Sequence, residues 1–380
     1  LIKLALVFLK IGVTAFGGPS AHIAMMETEF VRKRKWLTQE KFLDLMGATS
    51  LIPGPSSSEL AMVIGQHLAG WAGLAVAGIC FIFPAACIVL GLAWVYVRFG
   101  SVPGVVGALY GIKPVIIAII MQAIIRLSRP AFKTKNLAAI GVLAFAMSGL
   151  GFSGFQILLS AGTGSMLMGR DFWKKWGQKA ILLSFAMASL ISSRETQAVV
   201  GEAIKNLPGL NRIFLFFLKV GSIQFGSGYV LLAFLRTDLV ERWHWLTERQ
   251  LLDATAVGQF TPGPVFTTAT FIGYLLQGIK GAGVATVGIF LPAFIFVSLS
   301  GPLIPRIRKS AFAGAFLDGV NVASIALMAS VSIQLGQAAL PDGVAGALFL
   351  GSFYGLQRTQ VHSAWLVLLG ALVGYGKAGF

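Results

Sequence analysis

Lys10 stands inside the apolar run ALVFLKIGV, and Lys219 stands inside FLFFLKVGS. A lysine at the middle of a membrane helix costs about 2.5–3.5 kcal/mol on insertion scales, so two at matched places read as positive charges converging on an anion at the pseudo-twofold axis. Close behind each lysine the helical pattern breaks, at Phe16-Gly17-Gly18-Pro19 and at Phe225-Gly226-Ser227-Gly228. A second pair of breaks follows at Pro53-Gly54-Pro55 and Pro262-Gly263-Pro264. Proline suits the first turn of a helix, where its missing N–H has no partner to lose. Half-helices starting at Pro19 and Pro55 would aim free N–H groups and positive dipole ends at the membrane interior, which is anion-binding chemistry. Ser20 and Ser56-Ser57-Ser58 add hydroxyl donors, and Thr261, Thr267 and Thr268 hold similar places in the second half. His22, three positions after Pro19, is placed to face the same site.

Four further polar residues suit coupling or gating. Asp44 and Asp253 stand at equivalent positions. Glu59 is replaced by Thr268 in the other half, and Lys113, matched by Asn321, is a candidate partner for Glu59. An intramembrane carboxylate without a counter-charge is a functional candidate by default. Blander readings stand beside these. The lysines can snorkel to an interface. The glycines and prolines can serve only to pack or kink helices, the aspartates can cap helix N-termini, and His22 can be a packed, hydrogen-bonded side chain. There is no P-loop, no H-E-x-x-H and no C-x-x-C, and the four histidines are scattered, so no catalytic site, metal or cofactor is expected. Cys80 and Cys87 read as buried free thiols. Energy for any transport must then come from gradients or the membrane potential.

The elements that would position these residues are membrane helices. Of 380 residues 56% are hydrophobic and 12% charged, against roughly 25% charged in soluble domains, which excludes a water-facing surface. No Asp, Glu, Lys or Arg occurs in 60–97, 136–169, 254–279, 281–305 or 319–341, and about 20 apolar residues cross a bilayer. The chain is therefore polytopic; no signal peptide is expected. The net charge of +16 reads as basic loops facing the cytoplasm together with an anionic ligand, with no call for nucleic acid.

The chain also repeats itself. FLKIGVTAFGG from Phe8 returns as FLKVGSIQFGS from Phe217, an offset of 209 that holds through Trp36-Leu37-Thr38 and Pro53-Gly54-Pro55. It then slips to 208 at Ile64-Gly65 and at Pro84-Ala85, matched by Pro292-Ala293. The units are 1–169 and 210–380, joined by a cytoplasmic or interfacial linker, 170–209, in which the apolar stretch 180–193 suggests an interfacial helix or an extra span. Each unit reads as a first span (3–25; 212–235), a Pro-Gly-Pro segment (44–68; 253–276), two spans (70–97 and 104–125; 281–304 and 311–335) and a short hairpin (136–149 and 155–169; 343–357 and 359–376). A re-entrant Pro-Gly-Pro segment puts Arg32, Lys33, Arg34, Lys35 and Lys41 on one side with Arg126, Arg129, Lys133 and Lys135, as the positive-inside rule prefers. In the second unit the bias swaps to Arg306, Arg308, Lys309 and Arg358. The expected fold is an all-α polytopic membrane protein of two inverted-topology repeats with broken or re-entrant helices, a plan of secondary transporters.

The pattern F-L-K-x-G-x-x-x-F-G-G-P, then W-L-T, P-G-P, I-G and P-A, resembles the chromate ion transporter family in its long, two-domain form. The resemblance covers both halves, although Ser227-Gly228-Tyr229 replaces Gly18-Pro19-Ser20 in the second. It implies a multi-pass plasma-membrane protein that exports chromate and gives chromate resistance. The alternatives are a carrier of sulfate or another oxyanion in either direction, and a passive anion channel. A homodimer is left open.

Overall fold

A computed structural model of the chain describes residues 1–16, 18–49, 52, 54, 56–100, 102–168, 208–224, 231–300, 310–359 and 363–378. Residues 180–193, and nearly all of the linker, lie outside that set. The described residues are helical, without strands. The first repeat contributes α1 (Ile2–Thr14), α2 (Gly18–Glu27) with a π-helical turn Thr28–Lys33, α3 (Gln39–Thr49), α4 (Ser56–Phe99), α5 (Pro103–Ala131), α6 (Lys135–Gly149) and α7 (Gly154–Leu167). The second contributes α8 (Leu210–Ile223), α9 (Leu231–Leu235) with a π-helical turn Arg236–Arg242, α10 (Glu248–Phe260), α11 (Thr268–Ser300), α12 (Ala311–Ala339), α13 (Gly343–Arg358) and α14 (Ser363–Ala378).

Local chemistry sets the boundaries. Thr247 and Gln250 form a capping box at the start of α10, and Ser153 and Gln156 do so for α7. The Thr134 and Asp342 side chains cap α6 and α13. Each satisfies backbone N–H groups that have no partner in the first turn. Asp253 therefore does not cap α10 and Asp44 does not cap α3; both sit within their helices.

The first span of each repeat does not cross as one helix. The Phe8 and Phe30 rings lie 5.1 Å apart, whereas 22 residues of straight helix would separate them by about 33 Å. The chain folds back between α1 and α2. Hydropathy over 3–25 conceals this because both arms are apolar and only Gly-Gly-Pro marks the turn. In the second repeat Phe216 meets Trp243, just past the second π-helical turn, at 5.2 Å, so the chain folds back on α8 as well.

α4 reverses as well. Ala69 and Gly70 leave helical geometry, Gly70 at φ +61°, and a methyl on Gly65 would collide with the Gly73 carbonyl. The two arms thus touch backbone to backbone, which small residues alone permit. α11 repeats the device at Gln277–Gly278, with Gly273 against Gly281.

α4, α5, α11 and α12 are long and apolar enough to cross a bilayer. On the second arm of α4, Trp71 and Trp94 are exposed with Ile79 and Phe83 exposed between them. Their separation along the helix is about 35 Å, close to the hydrocarbon thickness that interfacial tryptophans bracket. Cys80 is half-buried, but Cys87 is exposed on this flank rather than buried.

The repeats are interlaced. α4 packs on α11, while α5 packs on α13 and α14 and α12 packs on α6 and α7. The short hairpin of each repeat thus clasps the long helix of the other. Gly111 on Gly370 and Gly319 on Ala161 make the close approaches. Lys133, in the link between α5 and α6, binds Asp318 of α12 at 2.8 Å, and Tyr110 and Lys377 both bond Asp342.

Candidate functional site

The ends of the two broken first helices meet the Pro-Gly-Pro glycines by a crossed exchange. The Gly54 amide donates to the Gln224 carbonyl at 2.7 Å, and the Gly263 amide donates to the Ala15 carbonyl at 3.0 Å. Ala15 and Gln224 terminate α1 and α8. Each Pro-Gly-Pro glycine therefore bonds the broken first helix of the opposite repeat. Gly54 (φ +138°) and Gly263 (φ +90°) hold conformations that favour glycine. A methyl on Gly263 would stand 2.6 Å from the Ala85 Cβ, and one on Gly54 would stand 3.6 Å from the Ala293 Cβ. The Pro-Ala positions of the repeat thus back the opposite break.

Several expected site residues gather here. The His22 ring bonds the Ala15 carbonyl through Nε2 at 3.1 Å and packs edge-on against Phe81. Gly18 and Pro19 open α2, and Ser20 lies in that first turn. Phe16 is half-buried beside the break. Ser56 opens α4, followed by buried Ser57, Ser58 and Glu59. Pro262, Gly263 and Pro264 are buried, and the Thr267 and Thr268 hydroxyls donate to the Pro264 and Val265 carbonyls. Gly17, Pro53, Pro55, Phe225 and Gly226 lie outside the described residues.

The two lysines do not pair with each other's surroundings. Lys10 binds Glu29 at 3.1 Å, and Lys219 binds Asp238 at 3.2 Å, each inside its own folded-back hairpin. Lys33 at 3.1 Å and Arg34 at 3.5 Å join Lys10 on the one Glu29 carboxylate, leaving a net positive cluster. Burial raises the Glu29 carboxyl, but hydrogen bonds from Lys33 and Lys10 outweigh it and hold the group below its ordinary value. Sequence reasoning passed over Glu29 and Asp238. The signal was present, since their offset of 209 equals that of the lysines.

Lys113 does not meet Glu59. Its ammonium lies 2.9 Å from Asp253, which is fully buried, also accepts a hydrogen bond from Tyr96 at 2.9 Å, and has Arg249 at 4.0 Å. Tyr96 and Lys113 belong to the first repeat and Asp253 and Arg249 to the second, so the cluster joins them. Asp44, the counterpart of Asp253, is exposed.

Neither Glu59 oxygen meets a hydrogen-bond donor among the described residues. Gly54 borders it: a methyl there would stand 3.3 Å from its carboxyl carbon.

Comparison with known proteins agrees with this layout. The chromate transporter family profile matches residues 2–169 and again 211–375. A chromate transport protein of Cupriavidus metallidurans is 31% identical over 377 residues, 98% of this chain and 92% of that protein. A probable chromate transport protein of Synechococcus elongatus is 32% identical over 336 residues, 88% and 84% of the two chains. A chromate transport protein of Pseudomonas aeruginosa is 31% identical over 336 residues, 87% and 80%. These relatives are named as transport proteins, not enzymes. No solved structure matches the chain. Apolar helices long enough to span, breaks that meet from two halves, and a family profile that covers both halves lead to one conclusion: the chain belongs to the chromate transporter family.

Proposed function

We propose that the chain is a secondary transporter that carries chromate out across the plasma membrane and so gives chromate resistance. The crossed exchange of Gly54 with Gln224 and of Gly263 with Ala15 carries the assignment of the site. It gathers the breaks of both repeats, where half-helix N-termini at Gly18-Pro19, Ser56 and Pro264 offer N–H groups to a tetrahedral dianion. Lys10 and Lys219 supply positive potential from its flanks.

Inverted repeats with re-entrant Pro-Gly-Pro segments fit the contacts. In the first repeat Lys41, at the start of α3, lies within electrostatic reach of His67, beside the α4 reversal. In the second, Asp253 of α10 meets Tyr96 at the far end of α4, with Arg249 of the first turn of α10 beside it. Corresponding segments thus start at opposite ends of the same long helix. Gly258 of α10 also crowds Thr268 at the start of α11, as a segment that returns to its own side requires.

Direction follows from charge. A dianion leaving an inside-negative cell gains about 4.6 kcal/mol per 100 mV, so export needs no ATP. The test is flux of labelled chromate and sulfate in proteoliposomes with and without an imposed potential. Chromate flux that grows with the potential and exceeds sulfate flux is expected. No chromate flux at any potential would overturn the reading. Equal sulfate flux would make it a general oxyanion carrier, and channel-like conductance would replace alternating access with a pore.

A further inference from the structure

Glu59 is the buried acid that no contact explains. It lies in the first turn of α4, fully buried, beside Gly54 and one turn from the crossed exchange. The Ser58 hydroxyl next to it also lacks a partner among the described residues. The charged and titratable groups on the elements packed against α4 are engaged elsewhere or turned outward. On α1, Lys10 binds Glu29 and Lys3 is exposed; on α2, His22 bonds Ala15 and Glu27 pairs with Arg32. On α3, Glu40 and Asp44 are exposed; on α10, Asp253 holds Lys113 and Tyr96, with Arg249 at its edge, and Glu248 pairs with Arg236. On α11, Lys280 is exposed, and neither Tyr274 there nor Lys41 on α3 reaches a Glu59 oxygen.

A carboxylate in that position would be a lone charge in an apolar interior, so the neutral acid is the form the packing accepts. An ionised Glu59 would also repel an oxyanion arriving at the breaks, whereas the acid removes that repulsion and offers an O–H donor. Anion and proton then favour each other's binding, and the linkage is reciprocal. The other repeat has no such group. Thr268 takes the place, with its hydroxyl closed on the Val265 carbonyl.

We infer that Glu59 is a proton-binding site of the anion pathway, and that one proton travels with each anion in the same direction. The inference rests on the transport reading above. The proton enters and leaves through water on whichever side is open, and the moving unit carries one negative charge instead of two.

Two measurements test it. Infrared titration of the protein in lipid is expected to show a carboxylic-acid C=O band at neutral pH that Glu59→Gln removes and Glu59→Asp shifts. Proteoliposomes with a trapped pH dye are expected to show one proton moved per anion in the wild type. In Glu59→Gln, whatever anion flux remains is expected to carry no proton. Selenate, which stays a dianion near neutral pH, serves beside chromate so that protonation of the solute is not mistaken for that of the protein. The inference is overturned if no acid band depends on Glu59, or if wild-type chromate and selenate flux carries no protons. An acid band without any anion flux would instead sink the transport reading and the coupling with it.

Discussion

Replacing Lys113 by Met should destabilise the protein by about 3 kcal/mol, and the cost should largely disappear when Asp253 is replaced by Leu as well. The single change leaves a fully buried carboxylate with one neutral donor, Tyr96, and with Arg249 at 4.0 Å. Removing one member of a buried pair typically costs about 3–5 kcal/mol. The Arg249 side chain is 58% exposed and offsets at most about 1 kcal/mol of that. The double variant removes both charges from a site that already excludes water. A swap to apolar residues of similar volume is often neutral, so a loss of about 1 kcal/mol is expected, chiefly from the idle Tyr96 hydroxyl. For 380 residues an unfolding entropy of about 2.1 cal/mol/K per residue makes each kcal/mol worth about 1.3 °C. Thermal unfolding in one detergent should therefore fall by about 4 °C for Lys113→Met and by under about 2 °C for the double variant. Losses that simply add across the cycle would refute the buried pair and its role in joining the repeats.

Gly65→Ala and Gly70→Ala should separate packing from conformation. The first drives a methyl into the Gly73 carbonyl and costs about 1–3 kcal/mol. The second meets no atom within 4 Å and costs the backbone strain of a conformation nearly confined to glycine (φ +61°, ψ −150°), about 1–3 kcal/mol; unchanged thermal unfolding in either variant would contradict the folded α4. Lys10→Ala should abolish chromate tolerance in expressing cells while the protein stays in the membrane, and unchanged tolerance would remove Lys10 from the anion path. Glu29 is held low by Lys33 and Lys10, so its contribution to stability is complete above its unfolded pKa and drains as pH falls through the folded value. Glu29→Gln should flatten the acid limb of the stability profile, and an unchanged limb would refute the pairing. In a background free of Cys80 and Cys87, cysteines at Glu40 and Gly70 should react from the same face; reaction from opposite faces would show that the Pro-Gly-Pro segment crosses.

The duplicated motifs, the breaks and most helix boundaries beyond them were legible in the sequence because each has a local cause. Pro at a first turn, Gly at a reversal and charge-free runs of spanning length need no tertiary information. The fold-back of α1 on α2 was not legible. Apolar composition measures affinity for lipid and is blind to chain direction, so one apolar run split by Gly-Gly-Pro reads as a single span. Nor was the exchange of short hairpins between repeats, since α6 and α7 present the same apolar faces whichever long helix they cover. Lys10 illustrates the remaining gap. Its type and depth read as positive charge for an anion, but its ammonium binds Glu29 of its own hairpin. Lys113 likewise found an acid, though Asp253 from the other repeat rather than Glu59 on its own.

Two halves that match in every helix still differ where polar groups are buried, and the difference has a direction. At one end of α4, Tyr96 and Lys113 hold Asp253, so α10 is tied to α4 and α5. The matching tie at the other end would need Asp44 with the counterparts of Tyr96 and Lys113. Those counterparts are Ile304 and Asn321, and Asp44 is exposed. On the carrier reading proposed above, identical ties would let the two faces close with equal ease. Here one closure has the buried Lys113–Asp253 pair, and the places matching Tyr96 and Lys113 hold neither a tyrosine nor a lysine. If the pair couples the repeats by about 2–3 kcal/mol, it favours closure of its own face by about 30- to 150-fold over an unlatched one. Lys113→Met with Asp253→Leu would then do more than restore stability. It would relax the bias between the two faces, and labelling of the Tyr96 end by a membrane-impermeant reagent should rise accordingly.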